Sequence, residues 1–551
     1  MIHSYFRSWG TSVILLMLVV FYTSCNRSQS EDYSGKPNIV FVMTDDHSYQ
    51  TLSAYDDRFI NTPNLDRIAG DGIKFVNSFV GNSICAPSRA TLLTGKHSHM
   101  NGQIDNRLAF DGSQQTFPKL LQQAGYQTAL VGKWHLRSVP TGYDYYDRLI
   151  GQGDYYNSDF ITNGDTTRSH GYVTDVITDK SIQWLENRNL DTPFALQVHH
   201  KASHRIWMPD TSTLGAFQNA EIPIPDTFFD DFTGKQYLKT EMGEQPQRIP
   251  MRIPAAEARM SIAADDMDLV YDLKMLDEEG EIQTKYRDMY ANDRYVRLDD
   301  EQKAAWDAHY DPIIREFKQR WDAMSDRERA IWKYHRYMKD YLATIRALDN
   351  NVGRLLNYLK AEGLYENTLV VYTSDQGFYM GEHGWFDKRF MYEQSMRTPL
   401  LMKFPAGIET RNEVDELVQN IDWAPTLLDL AGVEVPADMQ GKSLLPVVQN
   451  EHDQWRDALY YHYYEFPNEH MVKKHYGIRT QRYKLIHFYD DIDVWELYDL
   501  QEDPMERNNL YGQPEYAQLT RGLKQQLQEL RIQYQDTTGV PIQFDESSSG
   551  M

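Results

Sequence analysis

The sequence predicts an α/β fold: a large, mixed but mostly parallel sheet sandwiched by helices, followed by a smaller C-terminal α+β subdomain. Three observations predict it. From Pro37 to about Asp210, short apolar runs alternate with stretches of helical periodicity, as strands and crossover helices do in a parallel sheet. The chain has 551 residues, too many for one small core. After about Pro436 the pattern changes to short aromatic strands.

Residues 1–25 read as a signal peptide. Arg7 precedes an apolar run from Val13 to Phe21, too short to span a bilayer but suited to the core of an export signal. The run closes on Tyr22-Thr23-Ser24-Cys25, where small residues before a cysteine resemble a bacterial lipobox. Cys25 is therefore the expected lipidation site. The protein is expected to be exported to the periplasm or cell surface and to meet the membrane through a lipid anchor only. Polar residues 26–36 then serve as a tether. With Cys25 lipidated, Cys85 is the one cysteine left. No internal disulfide is then possible, and Cys85 is either a small buried hydrophobe or a reactive group.

The main domain is placed at 37–435. Asn38 to Met43 is its clearest strand, and Thr128 to Val131, Phe194 to Val198 and Leu369 to Tyr372 are further apolar runs long enough for buried strands. Each run ends in polar residues: Asp45-Asp46, Lys133 and His135, His199 to His204, and Asp375-Gln376. Open α/β sheets bind ligands at these carboxyl ends. A charged region at about 211–330 has no strand periodicity and reads as a helical insertion, with Leu298 to Met324 as its helical part. Tyr341, Ile345, Leu348, Val352, Leu355 and Leu359 then recur at helical spacing, which predicts a helix packed on the sheet.

The C-terminal subdomain is placed at 436–540, with strands at Ala458 to Tyr461 and Tyr483 to Phe488 and a helix carrying Leu519, Leu523, Leu527 and Leu530. Residues 541–551 read as a disordered tail. No internal repeat is seen. The net charge of −24 repels polyanions and argues against nucleic-acid binding, so an anionic substrate needs a locally basic or metal-loaded pocket.

Asp45 and Asp46 follow one strand, and Asp375 with Gln376 follows another, which gathers three carboxylates and an amide oxygen without sulfur or imidazole. Such a set suits a hard cation, with calcium expected in an exported protein and magnesium or manganese as alternatives. Taken singly, each Asp is more often a turn former than a ligand.

The segment Ser83-Ile84-Cys85-Ala86-Pro87-Ser88-Arg89-Ala90-Thr91-Leu92-Leu93-Thr94-Gly95 resembles the signature of the formylglycine-dependent sulfatases, members of the alkaline phosphatase superfamily. In that family a Cys, a Pro two residues on and an Arg four residues on direct oxidation of the thiol to an aldehyde. The resemblance implies that Cys85 becomes formylglycine (3-oxoalanine), through a formylglycine-generating or sulfatase-maturing enzyme, and that its hydrate supplies the nucleophilic oxygen and a metal ligand. The local sequence agrees, since a nucleophile just before a helix meets free backbone N–H groups that favour an anion such as sulfate. Gly132-Lys133-Trp134-His135 resembles the family's next motif, in which Lys133 holds sulfate and nucleophile and His135 orients the formylglycine oxygens. His204 resembles the histidine that protonates the departing alcohol, with Ser203 where the family often has Pro. Lys388 resembles the lysine that grips the sulfate, and with Arg89 and Lys133 it offsets the charge that develops as the S–O bond breaks. Gln376 stands where the family usually has Asn or His.

The resemblance runs from Asp45 to Lys388 and on to Trp495 to Leu500, like the closing strand of sulfatase C-terminal subdomains. It implies the alkaline phosphatase-like sulfatase fold and hydrolysis of sulfate esters on a carbohydrate, in polysaccharide degradation. Gly381 to Arg389 is similar to bacterial N-acetylglucosamine-6-sulfatases and related polysaccharide sulfatases. An algal polymer such as ulvan or carrageenan is the alternative substrate. A phosphodiesterase or phosphonate hydrolase, or an inactive glycan-binding lipoprotein, are the readings from other classes. His475 and Arg479 are placed as substrate contacts.

Overall fold

A computed structural model of the protein describes residues 36–230, 264, 267–277, 282, 284, 286–452, 454–467, 472–490 and 492–539. The expected signal peptide, Cys25, the tether apart from Lys36, part of the 211–330 insertion and the 541–551 tail lie outside the described residues.

The strands in chain order are β1 (Asn38–Thr44), β2 (Ile73–Phe75), β3 (Ser78–Phe79), β4 (Gln127–Gly132), β5 (Tyr145–Leu149), β6 (Asp159–Thr162), β7 (Asp165–Arg168), β8 (Phe194–His199) and β9 (Thr368–Ser374). They continue with β10 (Tyr379–Met380), β11 (Phe386–Asp387), β12 (Leu400–Lys403), β13 (Glu413–Val414) and β14 (Val418–Gln419). The C-terminal set is β15 (Ala458–Tyr463), β16 (His475–Thr480), β17 (Tyr483–Phe488) and β18 (Val494–Asp499). Ten of them form one mixed sheet in the order β13-β2-β12-β9-β1-β8-β4-β5-β6-β7. Its centre, β9-β1-β8-β4-β5, is wholly parallel.

A parallel strand is buried on both faces, and the side chains of β1 divide accordingly. Val40 and Val42 join a core with Ile177 and Leu348, from helices Val173–Asn187 and Asp326–Ala361. Ile39, Phe41 and Met43 join another with Leu92, Leu121 and Leu427, from helices Cys85–Thr94, Phe117–Gln123 and Trp423–Leu430. The apolar stripe from Tyr341 to Leu359 is buried in the first core, on a helix that starts further upstream at Asp326 because Ser325 and Glu328 cap it reciprocally. Within the insertion, helix Asp300–Arg320 is capped in the same way by Asp299 and Gln302, and it buries Trp306, Tyr310 and Phe317 in that core.

Strands β15 to β18 form a separate antiparallel sheet in sequence order. Its alternation gives it two buried faces. Tyr460, Ile478, Leu485 and Leu497 pack under Leu523 and Leu527 of helix Ala517–Gln533. Tyr461, Ile486 and Tyr498 pack against Phe79, Ile84 and Met391 of the main domain. Between residue 436 and β15, Leu444, Val447 and Val448 belong to the main-sheet core with Leu427 and Leu428.

Candidate active site

The parallel strands deliver their polar ends to one edge of the sheet. Asp45 and Asp46 follow β1, Asp375 and Gln376 follow β9, Lys133 and His135 follow β4, and His204 lies beyond β8. The chain after β8 is tied to that after β1, because Asp45 N–H donates to the Ala202 carbonyl (3.1 Å) and Ser203 N–H to the Asp45 carbonyl (2.7 Å). Cys85 opens helix Cys85–Thr94 after an extended Ile84, and no side chain caps that end. Pro87 sits in the first turn, where its missing N–H costs no helical bond.

Oxygen atoms of Asp45, Asp46 and Asp375 lie within 4.8 Å of one another, all fully buried. Gln376 Nε2 donates to Asp46 Oδ1 (2.5 Å) and lies 3.6 Å from Cys85 Sγ, while its Oε1 is buried without a hydrogen-bond partner. Cys85 Sγ is 3.4 Å from Asp45 Oδ1. Burial, with Asp387 and Asp375 nearby, raises the Asp46 pKa against the pull of Lys388. Three carboxylates and an unsatisfied amide oxygen, buried together, match the oxygen cage of a hard divalent cation. Asp45, Asp46, Asp375 and Gln376 therefore fit a metal, with Cys85 at its edge.

The cations stand around this cage. Arg89 donates to Asp375 Oδ2 through Nε (3.0 Å) and to the Lys133 carbonyl through a terminal nitrogen (2.8 Å). Lys133 contacts Asp45 Oδ2, and burial with Lys201 and Lys388 nearby brings its pKa well down. Lys388 pairs with Asp46 Oδ2 at 2.6 Å; burial opposes its charge, but Asp387 and Asp46 outweigh it and raise its pKa. His204 Nε2 is 3.7 Å from Asp46 Oδ2, and burial followed by Lys133, Lys388 and Lys201 depresses its pKa. His135 has a left-handed φ of 55°, and its Nδ1 has no hydrogen-bond partner. Burial pushes the Cys85 thiol up to about 12, so as a thiol it stays protonated at neutral pH.

A cavity of about 680 Å³ opens onto Cys85, His135, His204 and Lys388. Its walls also carry Arg107, Arg137, Arg148, Lys201, Arg205, Arg294 and Arg389, against only Asp154 and Asp387. The positive field that the acidic chain lacks overall is thus concentrated here. The sequence reading did not single out Lys201, Arg148 or Arg294. Tyr271, Tyr286, Met289 and Arg294, from the insertion, also line the cavity.

Two expected substrate contacts are corrected. His475 and Arg479 do not line the cavity. His475 is fully buried, stacked on Phe390 and Tyr461. Arg479 pairs with Glu393 Oε2 (3.0 Å) and lies over the Phe79 ring. Both face the main domain from β16, but Phe390 and Phe79 fill the space between, so they seal a domain junction.

Residues 37–433 match the family model described as sulfatase, and residues 381–533 match that described as N-sulphoglucosamine sulphohydrolase, C-terminal. An N-acetylglucosamine-6-O-sulfatase from Bacteroides thetaiotaomicron is 48% identical over 97% of this chain and 93% of its own length. An ulvan-active sulfatase from Formosa agariphila is 25% identical over 94% of this chain and 86% of its own. A solved structure of a protein in complex with its substrate, D-glucosamine-2-N,6-O-disulfate, superposes with a TM-score of 0.84 at 48% identity, covering 91% of this chain and 99% of that one. With acid cage, Cys85 helix and lysines arranged as above, the chain belongs to the sulfatase family and is a hydrolase of sulfate esters.

Proposed function

We propose that this protein removes the 6-O-sulfate from glucosamine residues of sulfated glycans. The observation that carries the reading is the single cavity in which Cys85, at a free helix N-terminus, meets His204 and Lys388 beneath a largely basic wall. The 48% identity to an N-acetylglucosamine-6-O-sulfatase along nearly the whole chain supports the glucosamine substrate over an algal polymer.

In this reading Cys85 acts as formylglycine, made by a maturation enzyme of the host. Its hydrate attacks sulfur, the ester S–O bond breaks, and the alcohol leaves with a proton from His204. Collapse of the resulting hemiacetal releases sulfate and restores the aldehyde. Burial and three nearby lysines keep His204 neutral in the free protein. The negative charge of a bound ester counters those lysines, so His204 gains its proton once substrate is in place. Lys388 and Lys133 stand where charge grows on the sulfate oxygens. Asp45, Asp46, Asp375 and Gln376 would hold a divalent cation, calcium in our reading, which supplies further positive charge to the sulfate when bound. Export and lipidation at Cys25 complete the proposal, placing the enzyme at a membrane surface where it meets glycan fragments.

Sulfate release from N-acetylglucosamine-6-sulfate by protein from its native host, paired with mass spectrometry of the Cys85 peptide, tests this. Release together with a formylglycine mass is expected, and Cys85→Ser abolishes the release. Release from ulvan or carrageenan fragments alone would transfer the activity to the algal substrate. Radiolabelled fatty acid incorporated into wild type but not Cys25→Ala checks the anchor.

A further inference from the structure

We propose that Lys201 and Arg148 form a second anion subsite in this cavity, which holds a negatively charged group of the substrate other than the sulfate facing Cys85. The inference rests on the glucosamine 6-O-sulfatase reading and deepens it, by favouring a substrate with two anionic groups.

Lys201 lies two residues beyond β8 and lines the cavity, with only 5% of its surface exposed. Among the described residues no carboxylate pairs with its ammonium, and its neighbour is the Tyr155 ring, 4.9 Å away. A buried, unpaired ammonium is costly. Burial, with Arg294 nearby, brings its pKa down to about 7. The adjacent acid gives little relief, because Asp154 is taken by Arg294 and, at 3.0 Å, by Arg297. The excess charge at this point is positive.

Arg148 stands further out along the same edge. Its place on β5 is beside Gly132 of β4, the residue before Lys133. It lines the cavity, its terminal nitrogen reaches the Leu149 carbonyl at 3.4 Å, and its Nε is buried without a partner. No carboxylate pairs with it among the described residues. Other buried cavity cations are neutralised, Arg205 by Asp272 (2.7 Å) and Lys388 by Asp46 (2.6 Å), while the exposed Arg137 donates to the Asn106 carbonyl (2.9 Å). Two cations held without counter-charge, beyond those already assigned to the ester sulfate, are complementary to a further oxyanion. An N-sulfate on the same ring or a carboxylate on the next sugar carries that chemistry.

The test is calorimetric binding to full-length Cys85→Ser protein, which does not turn substrate over. Its ligands are N-acetylglucosamine-6-sulfate, glucosamine-N,6-disulfate, and the 6-sulfated monosulfate linked to glucuronate. The expected result is an advantage of about 10- to 100-fold for a doubly charged ligand over the monosulfate. Adding Lys201→Met or Arg148→Gln reduces that ratio toward one, and Lys201→Arg restores it. An advantage for the disulfate locates the second group on the same ring, and one confined to the disaccharide locates it on the next. Equal affinities, or a ratio that survives both substitutions, would overturn the subsite. So would equal loss of all ligands in a folded Lys201→Met protein, which would assign Lys201 to the ester sulfate. Binding of none of the three to the Cys85→Ser parent would instead sink the glucosamine reading, and the subsite with it.

Discussion

Gln376 carries a test of the metal cage at the scale of one atom. Its Nε2 is engaged by Asp46, but its Oε1 is buried with nothing to accept. A buried acceptor left unmade costs about 1–3 kcal/mol, which a coordinated cation removes. Gln376→Leu keeps much of the volume and deletes that oxygen. The expected outcome is a loss of calcium affinity of about tenfold or more, read by titration against a chelator, since each coordinating oxygen contributes to hard-cation binding. Unchanged affinity would take Gln376 out of the ligand set. Asp45, Asp46 and Asp375 could be singled out because they follow apolar runs, at the carboxyl ends of strands where open α/β sheets bind ligands. Lys201 could not be, because a lysine among the basic residues 199–205 reads as solvated until its burial is seen.

At the scale of elements, the junction between helix Glu393–Met396 and the C-terminal sheet is a buried charge network. Glu393 pairs with Arg479 at 3.0 Å and with Lys484 at 2.9 Å, and Lys484 also holds Glu506 at 2.7 Å. Despite burial, Arg479 and Lys484 hold the Glu393 carboxyl well below the usual carboxylate range. Removing one partner strands a charge, so Arg479→Met is expected to destabilise by about 3–5 kcal/mol in urea unfolding. KM on the 6-sulfate should stay within about twofold of wild type, because the side chain lies outside the cavity. A raised KM with normal stability would return Arg479 to the substrate. Alternation along β16 turns both His475 and Arg479 toward the main domain. What the sequence did not carry was the depth of packing: Gly477 between them is so close to Met391 that a Cβ would come within 2.6 Å of its sulfur. For a similar reason the part that the insertion plays in the cavity was not legible, since helical periodicity says which residues of Asp300–Arg320 are buried but not that Tyr271, Tyr286, Met289 and Arg294 line a cavity.

Across the whole molecule, charge is distributed unevenly: a chain of net charge −24 gathers a cluster of cations around one cavity. Several of its histidines are shut off from solvent. His47, His200 and His475 are buried, and burial lowers the pKa of each to about 3. An unfolded chain returns them to about 6.5. Between these values the unfolded state binds protons that the native state refuses, so stability rises with pH across that window and is lost as pH falls from about 6.5. Each such histidine contributes up to about 1.4 kcal/mol per pH unit. Carboxylates held low by partners, such as Glu393, act in the same direction but only once pH drops below their unfolded value near 4.5. These histidines should therefore make the melting temperature fall between pH 6.5 and 5, where those carboxylates do not yet contribute. His475→Phe, which fills the same aromatic pocket without a titrating ring, should make that fall shallower whatever it does to the melting temperature at pH 7.5. Parallel curves for the two proteins would mean that His475 accepts its proton in the folded state, and that the ring stack around it is open enough to solvate the charge.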